Sequence, residues 1–172
     1  MAVRTRNLAY ENGLKLDFDK CRYVFVYGTL KQGYGNNYLL SNAKLISDKA
    51  YTVDKFELYD VGFPYAKFSN SKDSAVLKGE LYELDSIETF RDLDNLEGYP
   101  HHYRRKMIKV IYKDKDGKWK KALAWIYYTN KPCGDKITNK KFEPELRKKY
   151  LEWQRYNKFD VNAFLAEKAE TK

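Results

Sequence analysis

Apolar residues along this chain recur mostly at every second position or in short unbroken runs, the spacing of strands, and in only two stretches at helical spacing. The first run, Tyr23-Val24-Phe25-Val26-Tyr27, falls in a strand predicted over residues 22–27 and is unbroken, as expected where both faces are buried. It breaks into Gly28-Thr29-Leu30 and a polar, glycine-rich loop through Tyr38, with one helical turn over residues 37–40. Residues 43–59 alternate well enough for two short strands, with Leu45, Tyr51, Val53, Phe56 and Leu58 turned inward. Gly62-Phe63-Pro64 is a turn into a short extended piece. Residues 75–84 make another strand, whose Gly79 marks a bulge or a close backbone approach. Residues 103–112 and 119–128 flank Asp114-Lys115-Asp116-Gly117 and read as a hairpin.

Helical spacing begins at Ile87, Phe90 and Leu93. Asp85 is placed to cap this helix, Glu88 to complete a capping box, and Gly98 with Pro100 to end it. A second helix is expected over residues 143–156, with Pro144 near its first position and Leu146, Tyr150 and Trp153 on one side. Residues 1–20 read as an arm or edge segment, 131–141 as a basic loop, and 160–172 as a fraying end. The fold class that follows is α+β: one domain over 1–172, built on a barrel-like mixed, mainly antiparallel sheet with flanking helices.

Composition adds three constraints. The 172 residues include sixteen tyrosines, nine phenylalanines and three tryptophans, enough to build a core without a disulfide or metal. Cys21 and Cys133 lack the close spacing of a zinc or redox motif, so free thiols in a reducing, cytoplasmic setting are expected. Residues 1–20 hold no apolar segment of the kind a signal peptide needs, and no apolar run has the length of a membrane span. The net charge of +9 is concentrated: residues 101–150 carry 16 Lys and Arg against 5 Asp and Glu. Those cations alternate with apolar positions or sit in a hairpin loop, which favours a solvated face over a nucleic-acid or acidic-partner surface. The Asp-x-Asp-Gly turn lacks the third oxygen ligand and closing Glu of a calcium loop. His101-His102 has no flanking acidic or Cys cluster and reads as surface loop rather than metal site.

Two stretches carry candidate chemistry. After Tyr27 the backbone leaves the strand at Gly28-Thr29, where free N–H groups could seat an anion such as a carboxylate; buried strands also end in glycine for steric reasons alone. On the central helix Phe90, Leu93 and Glu97 share a face, so a carboxylate stands where the apolar stripe should continue. Burial would raise its pKa toward the range of a general base, whereas fraying of the last turn would leave it an ordinary solvated Glu. The pattern leaves both readings open.

Taken together, Val24-Phe25-Val26-Tyr27-Gly28-Thr29-Leu30-Lys31, Gly79-Glu80-Leu81-Tyr82-Glu83-Leu84, Leu93-Asp94-Asn95-Leu96-Glu97-Gly98-Tyr99 and Tyr103-Arg104-Arg105 resemble the gamma-glutamylcyclotransferase-like family, in its block order, over about residues 22–128. The gamma-glutamylamine cyclotransferases and related plant-induced proteins are the branch it is most similar to. The resemblance implies that the backbone of Tyr27, Gly28, Thr29 and Leu30 holds the substrate's α-carboxylate, that Glu97 is the catalytic acid/base, and that Tyr103 faces the pocket. It implies a small-molecule gamma-glutamyl substrate, release of 5-oxoproline by internal attack of the α-amine, and no metal or other cofactor. Glu80 and Glu83 read as surface or rim residues, and Arg104 or Arg105 as contacts for an anionic end of the substrate or as solvated strand positions. The rival readings are a noncatalytic member of the same fold that binds a small metabolite or a protein, and a basic-patch binder of an acidic partner.

Overall fold

The computed structural model describes residues 7–155. Five strands close into a barrel: β1 (Tyr23–Val26), β2 (Lys44–Thr52), β5 (Val76–Glu83), β6 (Arg104–Lys113) and β7 (Trp119–Tyr128). Around the ring the order is β1-β7-β6-β2-β5, and β5 returns to pair with β1. All neighbours are antiparallel except β1 and β7, which run parallel through Val24 and Trp125. Strands β3 (Phe56–Asp60), β4 (Pro64–Phe68) and β8 (Asp135–Ile137) form a separate three-stranded sheet in the order β4-β3-β8. An isolated bridge between Phe56 and Ala75 ties it to the start of β5.

Period-two alternation sorts the barrel side chains into two cores. Phe25, Leu81, Ile108, Val110, Ala124 and Ile126 pack on one another in one cluster. Val24, Val26, Tyr82, Trp125 and Tyr127 join the other, beneath helices α1 (Leu8–Lys20) and α2 (Ile87–Glu97). The unbroken run of β1 is therefore a strand with apolar partners on both faces. Gly79 is a close-approach glycine: a Cβ there would collide with the Val26 carbonyl and the Phe25 ring. Its partner strand β2 shifts register at Ser47–Ala50. Lys106, Lys109, Lys120 and Lys121 of the β6–β7 hairpin are exposed.

Three assignments differ from the sequence reading. Residues 8–20 are a helix, capped by the Asn7 side chain, with Leu14 and Phe18 buried one turn apart. Its pattern is obscured because Leu8 and Leu16 are exposed at 74% and 62% while polar residues make the tertiary contacts. Residues 143–155 are not helical. β9 (Lys141–Glu143) and β10 (Lys148–Leu151) form an antiparallel hairpin, and β10 adds parallel to the free end of β5 at Val76 and Leu77. Leu151 and Trp153, at 0% and 1% exposure, show that the operative period here is two; pairing to β5 outweighs the helical spacing of Leu146, Tyr150 and Trp153. The basic loop at 131–141 contains β8. Smaller corrections concern α2, whose cap is Ser86, not Asp85, so Glu88 is not in a capping box, and Val53, which is exposed. The expected fraying of 160–172 lies outside the described residues.

Candidate active site

The loop after β1 is polarised by its own hydrogen bonds. The carbonyls of Gly28, Thr29 and Leu30 all accept: from Lys31 N at 3.0 Å, Asn36 N at 3.1 Å and Asn37 Nδ2 at 2.8 Å. The N–H groups of the same three residues have no hydrogen-bond partner among the described residues. Three consecutive amides left over beside satisfied carbonyls form an electropositive wall suited to an anion. Asn36 Nδ2 also donates to Thr29 Oγ1 at 2.8 Å, fixing the loop from its far side. Gly28 is obligatory by contact, since a Cβ would lie 2.6 Å from Pro64 Cγ. Lys31, read in the sequence as a loop residue, is buried and donates to the Trp153 carbonyl at 2.6 Å.

This loop forms one wall of a cavity of about 330 Å³, whose lining includes Tyr27, Gly28, Thr29, Leu30, Glu97 and Tyr103. The six residues that the sequence reading gave catalytic or substrate-binding roles thus border the same space. The Tyr27 phenol points away from that role: it is buried and donates to the Tyr127 carbonyl at 2.5 Å. Tyr103 donates to the Pro64 carbonyl at 2.7 Å, which holds the residue that packs against Gly28. Burial raises the pKa of both phenols, so both are neutral donors.

Glu97 ends α2, followed by Gly98 in the left-handed conformation at φ 65°. Phe90 and Leu93, the apolar members of its face, are fully buried and seat that face against the barrel. The Glu97 side chain reaches the cavity instead of fraying into solvent. Burial, reinforced by the charge of Asp94, raises its pKa from the usual 4.5 to about 8. Between those values the folded chain holds a proton that the unfolded chain releases. Stability is therefore expected to fall as pH rises through this window, by at most about 1.4 kcal/mol per pH unit. Urea unfolding at pH 4.5 and pH 8 should show wild type losing stability relative to Glu97→Gln; parallel curves for the two proteins would contradict the shift.

Beneath Glu97 lies a network that the sequence reading did not find. Asp94, 1% exposed, accepts from Arg105 Nε at 2.9 Å and Nη2 at 3.0 Å, from Tyr127 Oη at 2.6 Å and from Tyr10 Oη at 2.8 Å. Arg105 Nη1 reaches Asp17 Oδ2 of α1 at 2.6 Å. Its guanidinium lies 4.4, 4.2 and 4.9 Å from the ring centres of Phe90, Tyr99 and Trp125. Arg105 is therefore a buried organiser of α1, α2 and β7 and does not border the cavity, whereas Arg104 is solvent-exposed. Tyr10 and Asp17 carried the only sequence signal, as polar residues spaced along an unrecognised helix.

Two more cavity residues were not named individually as site residues from the sequence. His102 is solvent-exposed, as a loop residue should be, yet it edges the cavity with Nε2 2.7 Å from the Tyr65 hydroxyl. Arg155 arrives from the segment assigned as a helix. Glu80 and Glu83 do not line the cavity; Glu80 accepts instead from Gln32 N at 2.9 Å.

A family model described as gamma-glutamyl cyclotransferase, AIG2-like, matches residues 24–154. The chain belongs to this family. A Methanocaldococcus jannaschii protein with a provisional gamma-glutamylcyclotransferase name is 39% identical over 113 residues, 65% of this chain and 88% of that one. The rat gamma-glutamylaminecyclotransferase is 33% identical over 95 residues, 51% of this chain and 62% of that protein. Among solved structures, a mouse AIG2-like protein superposes with a TM-score of 0.54 at 25% identity, covering 83% of this chain and 92% of that one. Its cyclotransferase-family relatives share the α+β barrel with flanking helices. Among the described residues, no helix is long and apolar enough to cross a membrane.

Proposed function

We propose that this gamma-glutamyl cyclotransferase family member releases 5-oxoproline and a free amine from a small gamma-glutamyl compound. The observation that carries the reading is the placement of the Glu97 carboxyl on the same cavity as three consecutive unpaired amides. In this reading the amides of Gly28, Thr29 and Leu30 take the α-carboxylate and fold the glutamyl chain back on itself. The α-ammonium then lies beside Glu97. Its positive charge favours the ionised carboxylate, so substrate itself primes the base.

Glu97 accepts one proton from the ammonium, and the freed nitrogen pair attacks the γ-carbonyl carbon to close a five-membered ring. The tetrahedral oxyanion collapses with cleavage of the bond between the γ-carbon and the departing nitrogen. Glu97 gives its proton to the departing nitrogen as that bond breaks, then takes the surplus proton from the ring nitrogen and passes it to the released amine, which leaves as its ammonium, so atoms and charge balance without water. Holding both reacting ends in one bound conformer lowers the entropic share of the barrel-bound barrier by several kcal/mol. Tyr103 and Tyr127, as neutral walls, keep the ring-closing end dry.

The direct test incubates purified protein with gamma-glutamyl amines, amino acids and short peptides, and follows 5-oxoproline by mass spectrometry. Stoichiometric 5-oxoproline and free amine from at least one compound is expected. Glutamate instead of 5-oxoproline would mean hydrolysis and would overturn the cyclisation.

A further inference from the structure

The hairpin β9–β10 delivers one more charged group to the cavity. Past β10, Trp153 is 1% exposed, donates from Nε1 to Asp60 Oδ1 at 3.0 Å, and packs its ring 5.2 Å from that of Tyr34. Two residues on, Arg155 donates from its backbone N to the Tyr34 hydroxyl at 3.3 Å and from Nη2 to the Gly62 carbonyl at 3.2 Å. The guanidinium is thus tethered at the rim of the cavity that Glu97 occupies. It makes no ion pair with any Asp or Glu among the described residues. The other basic side chain on the lining is His102, whose ring nitrogen is engaged with Tyr65.

The glutamyl half of the substrate brings one carboxylate and one ammonium, and the loop amides and Glu97 already answer both. Arg155 is a further fixed cation, with donors beyond the one held by Gly62. We infer that Arg155 is a specificity-determining residue that selects leaving groups bearing a carboxylate, making gamma-glutamyl amino acids or peptides with a free terminal carboxylate the preferred substrate class. A fixed guanidinium pairs with a carboxylate in a planar fork, repels a cationic amine and offers little to a neutral one. The inference rests on the cyclotransferase reading and deepens it.

The test compares gamma-glutamyl-alanine with gamma-glutamyl-alaninamide, which differ only in the terminal carboxylate. Wild type is expected to favour the acid by about fivefold in kcat/KM, the scale of one charge pair at an exposed site. Arg155→Gln should remove that preference by raising KM for the acid while leaving the amide within about twofold, and Arg155→Lys should restore part of it. Equal losses on both substrates would assign Arg155 to the glutamyl half and overturn the inference, as would no change on either; in both cases continued 5-oxoproline formation leaves the cyclotransferase reading standing. No 5-oxoproline from wild type with any gamma-glutamyl compound would defeat that reading and the inference with it.

Discussion

Replacing Glu97 with Gln is expected to lower the rate of 5-oxoproline release by about 10²–10⁴-fold, the range a positioned acid/base supplies. The substitution keeps the shape and most of the packing of the side chain but can neither take the α-ammonium proton nor return one to the leaving amine. Its KM should change little, because the amide wall of Gly28, Thr29 and Leu30 remains. In wild type, kcat/KM should rise with pH through an acid limb near 8, the value to which burial and Asp94 push the carboxyl. Asp94→Asn should move that limb downward, since it removes the neighbouring negative charge. Full activity in a folded Glu97→Gln protein would exclude Glu97 as the proton carrier and return attention to His102, which edges the same cavity.

The largest stability effect is expected at Asp94. Truncation to Ala removes the acceptor for two Arg105 bonds and for the Tyr10 and Tyr127 hydroxyls, leaving a guanidinium whose side chain is 2% exposed with Asp17 as its remaining partner. Breaking one side of a buried pair costs about 3–5 kcal/mol, which in a chain of this length lowers Tm by about 10 °C. Urea denaturation reads the change directly. Replacing the pair together, Asp94→Leu with Arg105→Met, should recover much of the loss, because the cost comes from the stranded charge more than from the missing attraction. A loss under 1 kcal/mol for Asp94→Ala would mean that water relieves the stranded groups and that the network is less sealed than its geometry indicates.

What was readable in the sequence follows from how local each determinant is. Strand β1, the β6–β7 hairpin and the α2 stripe are set by residues within a few positions, and the structure places them where alternation and turn chemistry put them. Tyr27 through Leu30, Glu97 and Tyr103 could be singled out because each interrupts such a pattern or matches a family motif. Helix α1 was illegible because its polar contacts are made by Tyr10, Glu11 and Asp17 to groups eighty or more positions away, while its misleading leucines face solvent. Residues 143–155 failed for the opposite reason. Their helical spacing is a coincidence of Leu146, Tyr150 and Trp153, and a strand edge on β5 dictated the outcome from outside the segment. Arg155 lies on that misassigned segment, so the direction of its own side chain was not readable.

The bond from Lys31 to the Trp153 carbonyl also fixes an order of events at the ribosome. Its two ends are 122 positions apart, and Trp153 leaves the exit tunnel long after the Gly28–Leu30 turn has emerged. Barrel strands β1, β2, β5, β6 and β7 can associate on the nascent chain, yet the ammonium that braces the turn has no carbonyl to meet until the C-terminal hairpin has docked. Synthesis therefore delivers the barrel strands first and the brace of the Gly28–Leu30 turn last.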